Sequence, residues 1–83
     1  MAETKSSDKR LLKAGEELRK MRIDADLSSE EVSRRTDISI VRLSHIEDGM
    51  DPTLAELFQL ADAYGYTPEG LFERMLKKAS GKS

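Results

Sequence analysis

The sequence predicts an all-α fold, a compact domain of five helices. Three observations predict it. Apolar residues recur at three- and four-residue intervals, the period of one helix face, and nowhere alternate as in a half-buried strand. Residues that cap helix N-termini stand just ahead of those stripes. Glycine and proline fall between the stripes, where a helix has to stop. No internal repeat or low-complexity linker interrupts the chain, so one domain is expected over residues 8–78, with a disordered N-terminal tail at 1–7 and a C-terminal tail at 79–83.

The elements follow in order. From Asp8 onward Leu11, Ala14, Leu18 and Met21 form the first helical stripe. Ser28 and Glu31 form an S-x-x-E capping box that opens a short second helix to about Arg35, with Leu27 and Val32 inward. Thr36-Asp37 is a turn. Ser39 caps a third helix to Asp48, with Leu43 and Ile46 inward; Gly49 stops it and Pro52 prevents continuation. Thr53 and Glu56 make a second capping box, opening a fourth helix that carries Leu54, Leu57, Phe58, Leu60 and Ala61 and ends at Gly65. Thr67-Pro68 supplies an N-cap and a proline at the first helical position for a fifth helix bearing Leu71, Phe72, Met75 and Leu76. Met21, Phe72 and Met75 read as core.

The chain has 83 residues, no cysteine and one histidine, which excludes a disulfide framework, a thiolate metal site and a histidine cluster for zinc. No nucleophile–base pair or glycine-rich phosphate loop is visible, so neither an enzyme, a cofactor nor a small-molecule ligand is expected. No apolar run approaches the ~20 residues of a membrane span, and no apolar stretch follows the N-terminal charges, so a cytoplasmic location is expected. The net charge of −2 conceals an uneven distribution. Residues 1–23 carry seven Lys/Arg against four acids, a balance of +3. Residues 24–73 carry Arg34, Arg35 and Arg42 against twelve acids, −9, and residues 74–83 carry four cations and no acid, +4. So acidic a middle repels phosphate and attracts basic surfaces.

Two short helices joined by a tight turn inside a five-helix domain form a helix-turn-helix. From Gly15 to Phe72, about 58 of the 83 residues, the chain resembles the Cro/C1-type, or xenobiotic-response-element, helix-turn-helix family. The matching residues are Leu18, Met21 and Arg22; Leu27-Ser28-x-Glu30-Glu31-Val32; Ile38-Ser39, Leu43 and Ile46-Glu47-x-Gly49; Pro52-Thr53-Leu54 and Leu57; and Ala63-Tyr64-Gly65-Tyr66-Thr67-Pro68-x-x-Leu71-Phe72. The resemblance implies an ion pair between Arg22 and Glu47 that locks the first helix onto the third. It also implies a DNA-facing set: Ser28 and Ser29 at the start of the second helix, and Ser39, Ile40, Val41, Arg42, Ser44 and His45 on the third.

The departures from the family gather on that face. Ser29 stands where glutamine usually meets a phosphate. Ile40 and Val41 hydrogen-bond no base edge. Asp48 stands where the family often has Arg or Asn, Met50-Asp51 where Lys or Arg usually meets the phosphates, and the loop is one residue shorter than usual. Ser33 and Asp37 replace alanine and glycine around the turn, where Asp37 tolerates the left-handed conformation. Such a face is poorly suited to a polyanion. The expectation is a regulator that acts by protein–protein contact, an antiactivator holding a transcriptional activator through Ile40, Val41, Ser44, His45, Asp48, Met50 and Asp51. More loosely, the chain looks like small antiactivators of quorum-sensing activators on mobile genetic elements. The alternative is a sequence-specific DNA-binding repressor whose basic ends add phosphate contacts. Monomer and homodimer both stay open, the latter through Leu71, Met75 or Leu76.

Overall fold

A computed structural model describes residues 8–79 and bears out the all-α reading, with five helices and no strand among those residues. They are α1 (Lys9–Asp24), α2 (Ser29–Arg35), α3 (Ile40–Glu47), α4 (Leu54–Tyr64) and α5 (Pro68–Ala79). The expected tail at 1–7 lies outside the described residues, as do residues 80–83; Ala79, expected in the C-terminal tail, ends α5 instead.

Each helix starts where a side chain satisfies its free backbone donors. The Asp8 carboxylate accepts from Arg10 N at 2.9 Å. Ser28 Oγ accepts from Glu31 N while Glu31 Oε1 accepts from Ser28 N, closing the expected box. Thr53 and Glu56 repeat it on α4. Ser39 Oγ accepts from Arg42 N, and Thr67 Oγ1 from Gly70 N. Each such cap contributes about 1 kcal/mol. The α2–α3 turn differs from expectation. Asp37 does not take the left-handed conformation; among the described non-glycine residues only Asp26, between α1 and α2, has positive φ, at 61°. The turn is shaped instead by Thr36, whose hydroxyl donates to Val32 O and accepts from Ile38 N, and by Gln59, which accepts from Asp37 N.

Leu18, Met21, Val32, Leu43, Ile46, Leu60 and Leu71 are fully buried and form the centre of the core. The first helix runs through the middle, packed against α5 on one side and α3 on the other. Its approach to α3 needs a glycine: a Cβ on Gly15 would lie 2.6 Å from Ile46 O and 2.7 Å from Glu47 O. Gly49, at φ 108°, then turns the chain out of α3 against Leu12. One expectation about the core needs correction, that of Phe72, which packs at its edge. Phe72 is only half-buried, and Leu54, Phe58 and Leu76 lie largely in solvent, because α4 and α5 carry apolar stripes wider than the surface they cover. Of the three residues expected at a dimer contact, Leu71 and Met75 are buried and Leu76 alone is exposed.

One cation of the basic C-terminal segment, Arg74, also behaves differently from expectation. Arg74 reaches across from α5 to the buried carboxylate of Glu17 and to the Tyr66 hydroxyl, with Asp24 Oδ2 at 3.3 Å. This arginine is therefore engaged within the fold instead of being offered to a phosphate.

Candidate functional site

The orientation of α3 follows from its apolar spacing. Leu43 and Ile46 are buried, and a residue two positions before Leu43 points the opposite way at 100° per residue. Val41 accordingly stands 64% exposed and Ile40, at the edge, 45% exposed. Ser44 follows Val41 at three residues and Asp48 at seven, so the three share one exposed stripe. His45 and Met50 are half-buried, and Asp51 is exposed in the loop behind them. Ile40, Val41, Ser44, Asp48 and Asp51 thus lie open around the outer side of α3, and His45 and Met50 sit at its margin.

The pairing implied between α1 and α3 is present. Arg22 grips Glu47 with two hydrogen bonds, Nε to Oε2 at 2.8 Å and Nη2 to Oε1 at 3.2 Å, and Nη1 donates to Leu27 O at 3.1 Å. A bidentate, largely buried pair of this kind fixes orientation as well as distance. Beside it Tyr64 is buried, and among the described residues its hydroxyl has no hydrogen-bond partner; burial and the nearby Glu47 carboxylate push its pKa upward.

Arg42 is the main departure from the sequence reading, which counted it among the cations facing a nucleic acid. Its Nε and Nη2 hold Glu56 at 2.7 and 2.8 Å, Nη2 also reaches Asp51 O at 3.1 Å, and Nη1 meets Met50 Sδ. The guanidinium is folded back over the loop to α4, and Met50 is turned toward it. The Arg42 side chain, with help from the Thr53 backbone, holds the Glu56 carboxyl at about 2, far below the usual carboxylate range. Two of the serines in the DNA-facing set, Ser28 and Ser39, spend their hydroxyls as helix caps. Of the three central arginines, Arg34 and Arg35 stay exposed, on the last turn of α2.

The sequence reading also missed a neighbouring groove. Between α1 and α3 an open channel is lined by Leu12, Arg19 and Ile23 on one wall and by Ser44 and Asp48 on the other. Ile23 is exposed there, which extends the apolar surface beyond α3. Only the α1–α3 packing brings these residues together, so no local signal marks them. Among the described residues no group of His, Cys, Asp or Glu is placed to hold a metal ion, and no helix is long and apolar enough to cross a membrane.

A family model described as Helix-turn-helix matches residues 18–71. No curated protein and no solved structure matches the chain.

Proposed function

The chain belongs to the Cro/C1-type helix-turn-helix family of transcription regulators, and we propose that it regulates by gripping a protein, a transcriptional activator, with the outer side of α3. The family is one of DNA-binding regulators and not of enzymes, so the proposal changes what α3 touches and keeps the regulatory role.

One observation carries the reading: the helix that a DNA-binding relative lays in a groove here presents Val41 and Ile40 to solvent, next to Asp48 and Asp51, while its arginine is tied to Glu56. An apolar centre edged by charge is the anatomy of a protein interface. Val41 and Ile40 gain by leaving water, at roughly 25 cal/mol per Å² of apolar surface covered. Asp48 and Asp51 raise the encounter rate with a basic partner. The DNA-binding surface of an activator is basic, and covering it silences the activator without this chain touching an operator. The looser likeness to quorum-sensing antiactivators favours an activator as the partner.

The family's usual role supports a second reading, a sequence-specific repressor, and exposed Arg34 and Arg35 are the cations it would use. One experiment separates the two. Labelled protein is titrated at low salt with nonspecific duplex while amide shifts are followed. The protein-binding reading expects little change along α3 and at the start of α2. Shifts concentrated there, fading as salt is raised, favour the DNA-binding reading instead.

A further inference from the structure

Helices α4 and α5 carry a second apolar surface made of residues outside α3. Leu54 and Phe58 stand one turn apart on α4, 57% and 45% exposed. Phe72 and Leu76 stand one turn apart on α5, and Leu76 is 62% exposed. Phe58 and Phe72 stack with ring centroids 6.4 Å apart and planes within 9°, joining the two pairs into one ridge across both helices. Three of its four members expose about half of their surface or more. Isolated exposed apolar residues need no account, but a joined group of this size marks a contact. The ridge lies on α4 and α5, whereas α3 packs against α1 and α2.

Its edges are acidic. Asp62 follows Phe58 by one turn, Glu69 precedes Phe72 by three residues, and Glu73 precedes Leu76 by three. All three acids are exposed. At the other end Asp51 shares a groove with Leu76, Leu11 and Met75. The nearby arginines each face an acid within the fold, Arg10 in the same groove with Asp8, Arg74 with Glu17 and Arg42 with Glu56, so they leave Asp62, Glu69 and Glu73 unmatched by arginine.

We propose that the α4–α5 ridge docks an amphipathic helix of another protein whose apolar stripe is edged with Lys or Arg. Charge complementarity selects this occupant. The leucine-like stripe of such a helix covers Leu54, Phe58, Phe72 and Leu76, and its basic edges meet Asp62, Glu69 and Glu73. A second copy of this chain fits less well, because a two-fold contact sets the same patch against itself and so brings acid-edged ridges together. The ridge and the outer side of α3 then form two contact surfaces on one small domain, which meet near Asp51.

The test uses the full chain, isotope-labelled, and a synthetic peptide of about 18 residues, five helical turns, with leucines along one face and lysines along its edges. Two control peptides replace the lysines with glutamates or scramble the order. The leucine–lysine peptide is expected to shift the amides of α4 and α5 around Phe58 and Phe72 and to bind more weakly as salt rises. The controls are expected to leave those amides in place. Phe58→Asp and, separately, Leu76→Glu are expected to weaken the peptide by at least about tenfold with helix content retained, while Val41→Asp leaves it unchanged. Because Val41 belongs to the other surface, that last comparison keeps this proposal separate from the one on α3. Shifts confined to α3, equal binding of the glutamate peptide, or sedimentation of the free chain as a dimer that Leu76→Glu dissolves would each overturn the assignment.

Discussion

On its inner side α3 buries Leu43 and Ile46, passes Glu47 to the guanidinium of Arg22, and lies so close to α1 that Gly15 has no room for a Cβ. On its outer side the same helix leaves Ile40 and Val41 in solvent next to Ser44 and Asp48. The inner side is specified by geometry and each of its charges has a partner. The outer side has few internal obligations, so its residues are free to be chosen for a partner. The contrast teaches that a helix-turn-helix keeps its fold through contacts that say nothing about what it binds, and that function has to be read from the side that contributes little to stability.

The largest expected effect lies on the inner side. Arg22→Ala leaves Glu47 buried without its cation and is expected to cost about 3–5 kcal/mol, seen as a steep fall in melting temperature. An unchanged melting temperature would break the comparison, since the inner side would then be as dispensable as the outer. Next comes Gly15→Ala. Its methyl group meets two backbone carbonyls, so α1 and α3 have to separate, and a loss of about 1–3 kcal/mol in denaturant unfolding is expected.

A smaller effect sits at the boundary between the two sides. Glu56 is held at about 2, against 4.5 when unperturbed. A carboxyl with a lowered folded-state value favours the fold when ionised, so its contribution is complete above about pH 4.5 and is lost as pH falls through about 2. Glu56→Gln is expected to flatten the part of the stability profile between those values, and Arg42→Ala to flatten it less completely, because the Thr53 backbone N–H still favours the ionised carboxyl. The smallest effect on stability belongs to Val41→Asp, expected to stay within about 0.5 kcal/mol of the parent while abolishing capture of the activator in a pull-down. Asp48→Lys sharpens the same point: association slows, and less so at high salt.

Much of this architecture is legible from local sequence. The capping boxes at Ser28 and Thr53, the stop at Gly49 and the Thr67-Pro68 start act over three or four residues, and the chain states them directly. The Arg22–Glu47 pair was legible only through resemblance, because 25 residues separate its members. Arg42–Glu56 and Arg74–Glu17 were not legible at all. Each unites charges that look like ordinary surface residues until two helices pack, and each removes a cation that the charge pattern alone assigns to a partner. The exposure of Val41 was readable because Leu43 and Ile46 fix the direction of a short helix. That of Leu54, Phe58 and Leu76 was not, because an apolar stripe gives a direction without the width of the surface that will cover it. Left-handed backbone falls at Asp26, between α1 and α2, and not at Asp37, where the hydroxyl of Thr36 organises the turn.

The bond between Glu17 and Arg74 also sets a schedule. Glu17 is synthesised before its partner and is buried in the folded domain, yet its cation is 57 residues further along the chain. At ~5–20 residues per second that separation corresponds to roughly 3–11 s of elongation, during which α1 exists without the charge that its burial requires. A nascent chain halted before α5 therefore lacks both the counter-ion for Glu17 and the helix that covers it. The buried carboxylate of the first helix thus waits for the last helix to supply its cation.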